Sequence, residues 1–140
     1  SPVFGTSRDV VNLAALVGLN VLHGVFKQVH VNGVRGLVEN QACIIDVRGR
    51  DEFEAGHLIG AINIPLGELR QRTAEIPKDR PVYLHCRTSQ RSYNACMALV
   101  NRGYRNVWNI SGSYLGICLY EYFTDVTTGR EQIVTEYNFK

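Results

Sequence analysis

Short apolar runs alternate with segments of helical periodicity along most of the chain. Continuous or alternating apolar runs predict strands at 25–31, 42–47, 61–64, 81–85 and 106–110. Apolar residues at helical spacing, together with capping residues and breakers, predict helices at 32–39, 50–55, 67–76, 92–103 and 113–123. Because strands and helices alternate, the pattern indicates an α/β protein built on a parallel sheet.

The two ends of the chain follow this alternation less clearly. Residues 8–23 have one apolar face, which predicts a helix that docks on the remaining domain or on a second copy of the chain. Residues 124–140 show no clear core pattern, apart from a strand-like segment at 132–135. We therefore divide the chain into a helical segment at 1–24, a domain at 25–123 and a C-terminal extension at 124–140.

The loop that follows the strand at 81–85 contains the candidate chemistry. Its six residues are Cys86, Arg87, Thr88, Ser89, Gln90 and Arg91. None of them is proline, so all six backbone N–H groups can point inward and form a nest for an anion at the start of the next helix. A cysteine that opens such a loop is expected to have a lowered pKa. In parallel sheets, sites lie beyond the carboxyl ends of the strands, where this loop begins.

These features favour Cys86 as a nucleophile over the alternative of a buried, inert cysteine at a strand end. The other three thiols lie in apolar patterns and are predicted to be core residues: Cys43, Cys96 and Cys118. The cysteines lie far apart and form no C-x-x-C pair, so we expect no metal site. Cysteines that need no disulfide framework fit a reducing cytoplasm.

Composition excludes several classes of function. The chain of 140 residues is 45% hydrophobic and 20% charged, which is typical of a globular domain. Its net charge of +2 is too small to indicate a nucleic-acid partner. No run approaches the roughly 20 apolar residues of a membrane span. We therefore expect neither nucleic acid nor a membrane as a partner.

The loop and several other segments resemble the rhodanese family. The segments that carry the resemblance outside the loop are 44–48, 52–53, 56–65 and 110–113. Ser113 stands where the family's later signature usually has its second glycine. The resemblance covers about 25–123 and implies a five-stranded parallel sheet flanked by helices. It also implies sulfur transfer from a small sulfur donor to a thiol acceptor, through a persulfide on Cys86.

Five residues outside the loop are expected to support it structurally: Asp46, Arg48, Glu52, His57 and His85. Arg48 and Glu52 are spaced for an ion pair that pins the turn after the strand at 42–47. His57 can hydrogen-bond to the backbone in the same turn. His85 is expected to point away from the loop mouth and to brace the loop from beneath, because side chains alternate along a strand.

Within the loop, the two arginines are expected to differ in role. Arg87 would steer an anionic sulfur donor at the loop mouth, whereas Arg91 would fix the shape of the loop and add to its positive field. Two alternatives stay open. A cysteine-dependent phosphatase would need five residues between cysteine and arginine, whereas four separate Cys86 from Arg91. A non-catalytic rhodanese module that serves only in docking or regulation usually lacks the cysteine, which this chain keeps.

Residues 4–14 carry a second resemblance. They are similar to the end of the flavin- and pyridine-nucleotide-dependent disulfide reductases of the coenzyme A-disulfide reductase type, some of which end in a rhodanese domain. This resemblance implies that the chain is the C-terminal part of such a fusion, with the upstream reductase domain as its partner. FAD, NAD(P)H and CoA are then implied only for the full-length reductase, and no cofactor is expected in this chain.

Overall fold

The computed structural model describes residues 26–140. Five short parallel strands form one sheet, and their order across it is β1-β5-β4-β2-β3. The strands are β1 (Lys27–His30), β2 (Cys43–Asp46), β3 (Ile62–Asn63), β4 (Val82–His85) and β5 (Val107–Ser111). The helices of this part of the chain are α1 (Val34–Glu39), α2 (Arg50–Ala55), α3 (Gln90–Asn101) and α4 (Ser113–Thr128). The predicted α/β fold with a five-stranded parallel sheet is confirmed. The predicted helix at 8–23 lies outside the described residues.

Strand β4 lies at the centre of the sheet, and its side chains alternate between two apolar clusters. Leu84 belongs to the cluster that also contains the buried residues of α3, whereas Tyr83 packs against the cluster that contains those of α4. The neighbouring strand β2 alternates in the same register, because Ile45 pairs with Leu84 and Ile44 pairs with Tyr83. Burial on both faces explains why these strands are continuous apolar runs in the sequence.

The segment predicted as one helix at 67–76 is instead a pair of 3-10 helices, Leu66–Gln71 and Thr73–Glu75. Its N–H groups bond three residues back, as in the 2.9 Å bond from the Ile76 amide to the Thr73 carbonyl. This tighter winding places the buried side chains of Leu69 and Ile76 in the first apolar cluster. Packing against that cluster therefore overrides the helical pattern of the segment.

The C-terminal extension contributes to the core, which its sequence pattern does not indicate. Ile133 and Val134 are 3% and 0% exposed and join the second apolar cluster. Val134 forms an isolated antiparallel bridge with Leu58, in place of a strand at 132–135. The boundary that the sequence places after residue 123 falls inside α4, which continues to Thr128. The domain and its extension therefore share one core.

A buried ion cluster also attaches the extension to the helices. Glu121 and Asp125 on α4 are 1% and 5% exposed. Arg35 of α1 donates to Glu121 at 2.7 Å, and Arg130 of the extension donates to Asp125 at 2.6 Å. The Tyr137 hydroxyl donates a further hydrogen bond to Asp125. Two guanidinium groups thus compensate two buried carboxylates, as buried charges require.

Three further properties of the described chain bear on function. Within residues 26–140, none of the helices combines the length and apolar character that crossing a membrane requires. The same residues contain no group of three or more His, Cys, Asp or Glu side chains placed to hold a metal ion. All four cysteines are buried free thiols.

Candidate active site

Cys86 follows the carboxyl end of the central strand β4 and is 1% exposed. Its Sγ accepts a hydrogen bond from the Ser89 backbone N–H at 3.0 Å. Burial alone would raise the pKa of this thiol, and it is the largest single influence. The N–H groups of Ser92, Ser89 and Thr88 and the Ser92 hydroxyl together outweigh it, so the pKa of Cys86 is lowered. Hydrogen bonds from Ser92 in the first turn of α3 and from the loop amides are therefore the source of the lowered pKa.

The other three thiols have the opposite electrostatic environment. Burial is the main reason that the pKa values of Cys43, Cys96 and Cys118 are raised. A negative charge on Cys86 raises the pKa of Cys96 further. Of the four thiols, Cys86 is therefore the one suited to act as a thiolate near neutral pH.

The first turn of α4 holds the loop in the orientation that favours an anion. The Tyr114 amide donates to the Cys86 carbonyl at 2.9 Å, and the Leu115 amide donates to the Arg87 carbonyl at 3.1 Å. These bonds occupy the carbonyl groups of the loop on the side of α4. The N–H groups that follow are then free to face the sulfur, as in other anion-binding nests.

Arg91 forms a two-point ion pair that joins the loop to helix α2. Its guanidinium donates to the two carboxylate oxygens of Glu52 at 2.7 and 3.0 Å. Glu52 also accepts the Gly49 N–H at 3.0 Å, which caps the start of α2. The hydrogen bond from Arg91 is the main reason that the pKa of Glu52 falls to about 2. The predicted Arg48–Glu52 ion pair is therefore wrong, because Glu52 binds an arginine from another element.

Arg48 pairs with Asp46 instead, and both side chains are fully buried. The Arg48 guanidinium donates to the two Asp46 oxygens at distances between 2.7 and 3.1 Å. It also donates to the Gly56 carbonyl at 2.7 Å and lies 4.2 Å from the centroid of the Tyr114 ring. The side-chain amide of Asn63 bonds to the carbonyls of both paired residues. This network fixes the turn after β2 beside the loop.

The two histidines occupy separate structural positions. His85 is fully buried next to the loop, where its Nδ1 lies 2.9 Å from the Cys86 carbonyl. Burial lowers the pKa of His85, so the ring is neutral and Nδ1 is the nitrogen that donates. The Nδ1 atom of His57 lies 2.8 Å from the Phe53 carbonyl, and the His57 ring stacks on the Phe53 ring. His57 therefore makes a backbone contact, as predicted, but with α2 and not with the turn after the strand at 42–47.

Arg87 does not lie open at the loop mouth. Its two terminal nitrogens are buried and have no hydrogen-bond partner among the described residues. The charge of Arg87 acts on Cys118, whose pKa it lowers in part against the effect of burial. The expectation of an exposed, donor-steering arginine therefore differs from the structure. Thr88 and Gln90 are exposed, and of these two loop residues Thr88 contributes its backbone N–H to the sulfur.

Sequence reasoning missed two polar side chains around the sulfur. Ser92 Oγ lies 3.7 Å from Cys86 Sγ and donates to Asn109 Oδ1 at 2.7 Å. Ser113 Oγ lies 4.0 Å from the same sulfur. Two signals in the sequence point to them. Ser92 opens the predicted helix directly after the loop, and Ser113 replaces a glycine where β5 ends, beside the end of β4.

Fold and site together define a class: a parallel α/β domain whose central strand ends in a cysteine held in a nest of N–H groups. Residues 31–119 match the profile of the rhodanese-like domain. The chain therefore belongs to the rhodanese-like domain family.

Two relatives are similar to about half of this chain. Bacillus subtilis YqhL, an uncharacterized protein, is 47% identical over 74 residues, which is 53% of this chain and 59% of YqhL. A sulfurtransferase of Allochromatium vinosum is 38% identical over 72 residues, which is 51% of this chain and 67% of that protein. The match thus spans less than two thirds of the length of YqhL.

Two solved structures are similar to this domain and belong to much longer chains. Reduced Bacillus anthracis CoADR-RHD has a TM-score of 0.68 and 35% identity, over 79% of this chain and 20% of that one. A NAD-dependent persulfide reductase from A. fulgidus has a TM-score of 0.54 and 29% identity, over 69% of this chain and 17% of that one. The chain is therefore similar to a small part of each of these longer chains.

The Glu52–Arg91 pair predicts how stability changes in acid. The carboxylate of Glu52 is 37% exposed, so we expect Glu52→Gln to cost less than about 1 kcal/mol at pH 7. Because the pKa of Glu52 is lowered to about 2 from its ordinary 4.5, this contribution is complete above pH 4.5. It is lost as the pH falls toward 2. Urea unfolding of the wild type and of Glu52→Gln between pH 7 and pH 3 measures the difference in their free energies of unfolding. A difference that grew in acid would contradict the assignment.

Proposed function

We propose that this chain is a sulfurtransferase that carries sulfane sulfur as a persulfide on Cys86. The observation that carries the proposal is the Cys86 thiol, whose Sγ accepts the Ser89 N–H at 3.0 Å and whose pKa is lowered by hydrogen bonds from Ser92, Ser89 and Thr88. The same N–H groups suit the anionic terminal sulfur of a persulfide. The name of the Allochromatium vinosum relative, a sulfurtransferase, supports the same class of reaction.

The reaction has two steps in which atoms and charges balance. In the first, the Cys86 thiolate attacks the outer sulfur of a donor such as thiosulfate. A new S–S bond forms on Cys86, the S–S bond of thiosulfate breaks, and sulfite leaves with the electron pair. In the second, an acceptor such as cyanide or a thiolate attacks the terminal sulfur and releases the Cys86 thiolate. The enzyme alternates between two covalent states, so ping-pong kinetics are expected.

The residues of the site divide the work of the first step. The amides of Thr88, Ser89 and Ser92 favour the charged form of the sulfur. The Glu52–Arg91 pair fixes the end of the loop, and the positive charge of Arg91 interacts with the Cys86 thiolate. The role of Arg87 in capturing the donor stays a prediction, and its buried guanidinium means that donor access would require the loop to move.

The loop favours sulfur transfer over hydrolysis of phosphate esters. Four residues separate Cys86 from Arg91, one fewer than the phosphatase pattern requires. The Arg91 guanidinium is also occupied by Glu52, at 2.7 and 3.0 Å, instead of being free to bind a phosphate. A domain that served only in docking would not need a cysteine with a lowered pKa.

We further propose that the domain works in the cytoplasm as the rhodanese part of a flavin-dependent CoA-disulfide or persulfide reductase. The similarity to Bacillus anthracis CoADR-RHD and to the A. fulgidus persulfide reductase supports this context. FAD, NAD(P)H and CoA would then bind the reductase part. The domain would exchange sulfur between a small-thiol persulfide and the reductase site.

The proposal is tested by loading the protein with sulfur and locating it. Brief treatment with thiosulfate or polysulfide should add one sulfur atom to Cys86, measured by peptide mass spectrometry. Cyanide should then remove this sulfur and yield a stoichiometric amount of thiocyanate. Sulfur on another cysteine, or turnover of p-nitrophenyl phosphate without thiocyanate formation, would overturn the proposal.

A further inference from the structure

Two serines beside Cys86 have backbone conformations that favour glycine. Ser89 has φ +104° and Ser113 has φ +51°. In the described part of the chain, Gln41 with φ +57° is the other non-glycine residue with a positive φ. A side chain in the left-handed region is strained, whereas glycine adopts it freely. Strained residues that persist next to a reactive group point to a function for their side chains.

The two serine side chains contact each other and the cysteine. Ser89 Oγ lies 3.3 Å from Ser113 Oγ, so the hydroxyls form one hydrogen-bonded pair between the loop and α4. Ser113 is fully buried, and its Oγ accepts the Cys86 backbone N–H at 3.2 Å. The same oxygen lies 4.0 Å from Cys86 Sγ. The strained backbone of Ser113 thus places a hydroxyl against both the amide and the sulfur of the nucleophile.

A count of protons shows that this hydroxyl can respond to charge. Ser113 Oγ accepts from the Cys86 amide and has one proton to donate. That proton has three acceptors within reach: the Ile110 carbonyl at 3.3 Å, Ser89 Oγ at 3.3 Å and Cys86 Sγ at 4.0 Å. The first two contacts are long for O–H···O hydrogen bonds. A sulfur that becomes negative attracts the proton more strongly than these neutral acceptors do, because hydrogen bonds to charged groups are the stronger ones.

We propose that Ser89 and Ser113 form a hydroxyl pair that serves the sulfur of Cys86, with Ser113 turning its proton toward the anionic sulfur and Ser89 holding Ser113 in place. The proposal rests on the proposed sulfurtransferase function and adds two residues to its machinery. Ser113 is the direct donor, and Ser89 acts through it as a positioning residue. Glycine at either position would relax the backbone and remove the hydrogen bond between the two hydroxyls.

The test replaces each serine with glycine and measures the ionisation of Cys86 directly. Ser113→Gly should stay folded with a thermal midpoint close to that of the wild type, because relief of the positive φ offsets the loss of the acceptor for the buried Cys86 N–H. The pH profile of Cys86 alkylation by iodoacetamide should shift to higher pH. At pH 7 the alkylation rate should fall about threefold to tenfold, the size expected for the loss of one typical hydrogen bond. Ser89→Gly should cause a smaller shift in the same direction.

The other ionisable groups on the elements packed around Cys86 are unchanged in these variants: Asp46, Glu52, His85, Arg87, Arg91, Cys96 and Tyr114. Gln41→Gly is the matched control. It relaxes the same kind of backbone strain at the opposite end of β2, and it should leave the alkylation profile unchanged. Ser113→Ala removes the hydroxyl and keeps the strained backbone, so it should shift the profile as Ser113→Gly does.

An unchanged alkylation profile in Ser113→Gly and Ser113→Ala would overturn the hydroxyl pair. An equal shift in Gln41→Gly would also overturn it, because backbone relaxation would then explain the effect. Alkylation needs no sulfur transfer, so the two proposals fail separately. A wild-type protein that forms no thiocyanate contradicts the sulfurtransferase, whereas active transfer with an unshifted profile contradicts the role of the serines.

Discussion

Cys86→Ser is expected to lower the rate of thiosulfate:cyanide sulfur transfer by more than about a thousandfold, because the nucleophile that carries the sulfur is removed. The fold should persist, since serine has a similar size and its oxygen can accept the Ser89 N–H that now binds Sγ. Thiocyanate release measures the activity, and the thermal midpoint and circular dichroism report the fold. Sulfur loading followed by mass spectrometry should detect no added mass in the variant.

Cys96→Ala is the matched control for this variant. Cys96 is as buried as Cys86, but burial raises the pKa of its thiol, whereas hydrogen bonds outweigh the effect of burial at Cys86. We expect the control to keep its transfer rate and to lose some stability through a small core cavity. Continued turnover in Cys86→Ser, or loss of turnover in a folded Cys96→Ala protein, would contradict the assignment of the nucleophile.

Asp46→Asn is expected to cause the largest loss of stability among the substitutions considered. It keeps the size of the side chain but leaves the Arg48 charge buried without a counter-charge. Both residues are no more than 1% exposed, so we expect the free energy of unfolding to fall by about 3–5 kcal/mol. Urea denaturation at pH 7 measures the loss. The half-exposed Glu52–Arg91 pair provides the comparison, because Glu52→Gln should cost less than about 1 kcal/mol.

The double variant Asp46→Asn/Arg48→Met separates the charge from the packing. Removing both charges should recover part of the stability that Asp46→Asn loses, because the uncompensated guanidinium is then absent. The loss in the double variant reports the hydrogen bond from Arg48 to the Gly56 carbonyl and the contact of Arg48 with Tyr114. An Asp46→Asn protein as stable as the wild type would show that water reaches the turn and solvates the Arg48 guanidinium.

The sequence predicts the sheet well because its inner strands are buried on both faces. Ile44 and Ile45 pack into different clusters, so the strand must be apolar throughout, and this signal is local. The position of Cys86 is likewise predictable, because it follows directly from the end of such a strand. The 3-10 winding around Leu69 and the buried position of Val134 depend on distant packing, which periodicity in a single sequence does not contain.

Partner choice among charged residues is the other part that the sequence does not specify. Arg48 and Glu52 have a spacing that suits an ion pair, yet each binds a different residue. Arg48 pairs with Asp46, which lies two positions earlier at the end of β2. Glu52 pairs with Arg91, which lies at the end of the loop. The choice is made by the relative placement of β2, α2 and α3, which only the three-dimensional structure provides.

The pairing of β1 has a consequence for the order in which the protein folds during its synthesis. Among the described strands, β1 pairs with β5 alone, and Lys27 lies beside Trp108. The ribosome therefore makes the edge strand long before it makes the strand that completes its hydrogen bonds. Val134, which helps to close the second apolar cluster, is made later still. Until residue 134 has been made, the nascent domain keeps apolar surface and an unpaired strand exposed, and such non-local pairing favours late folding.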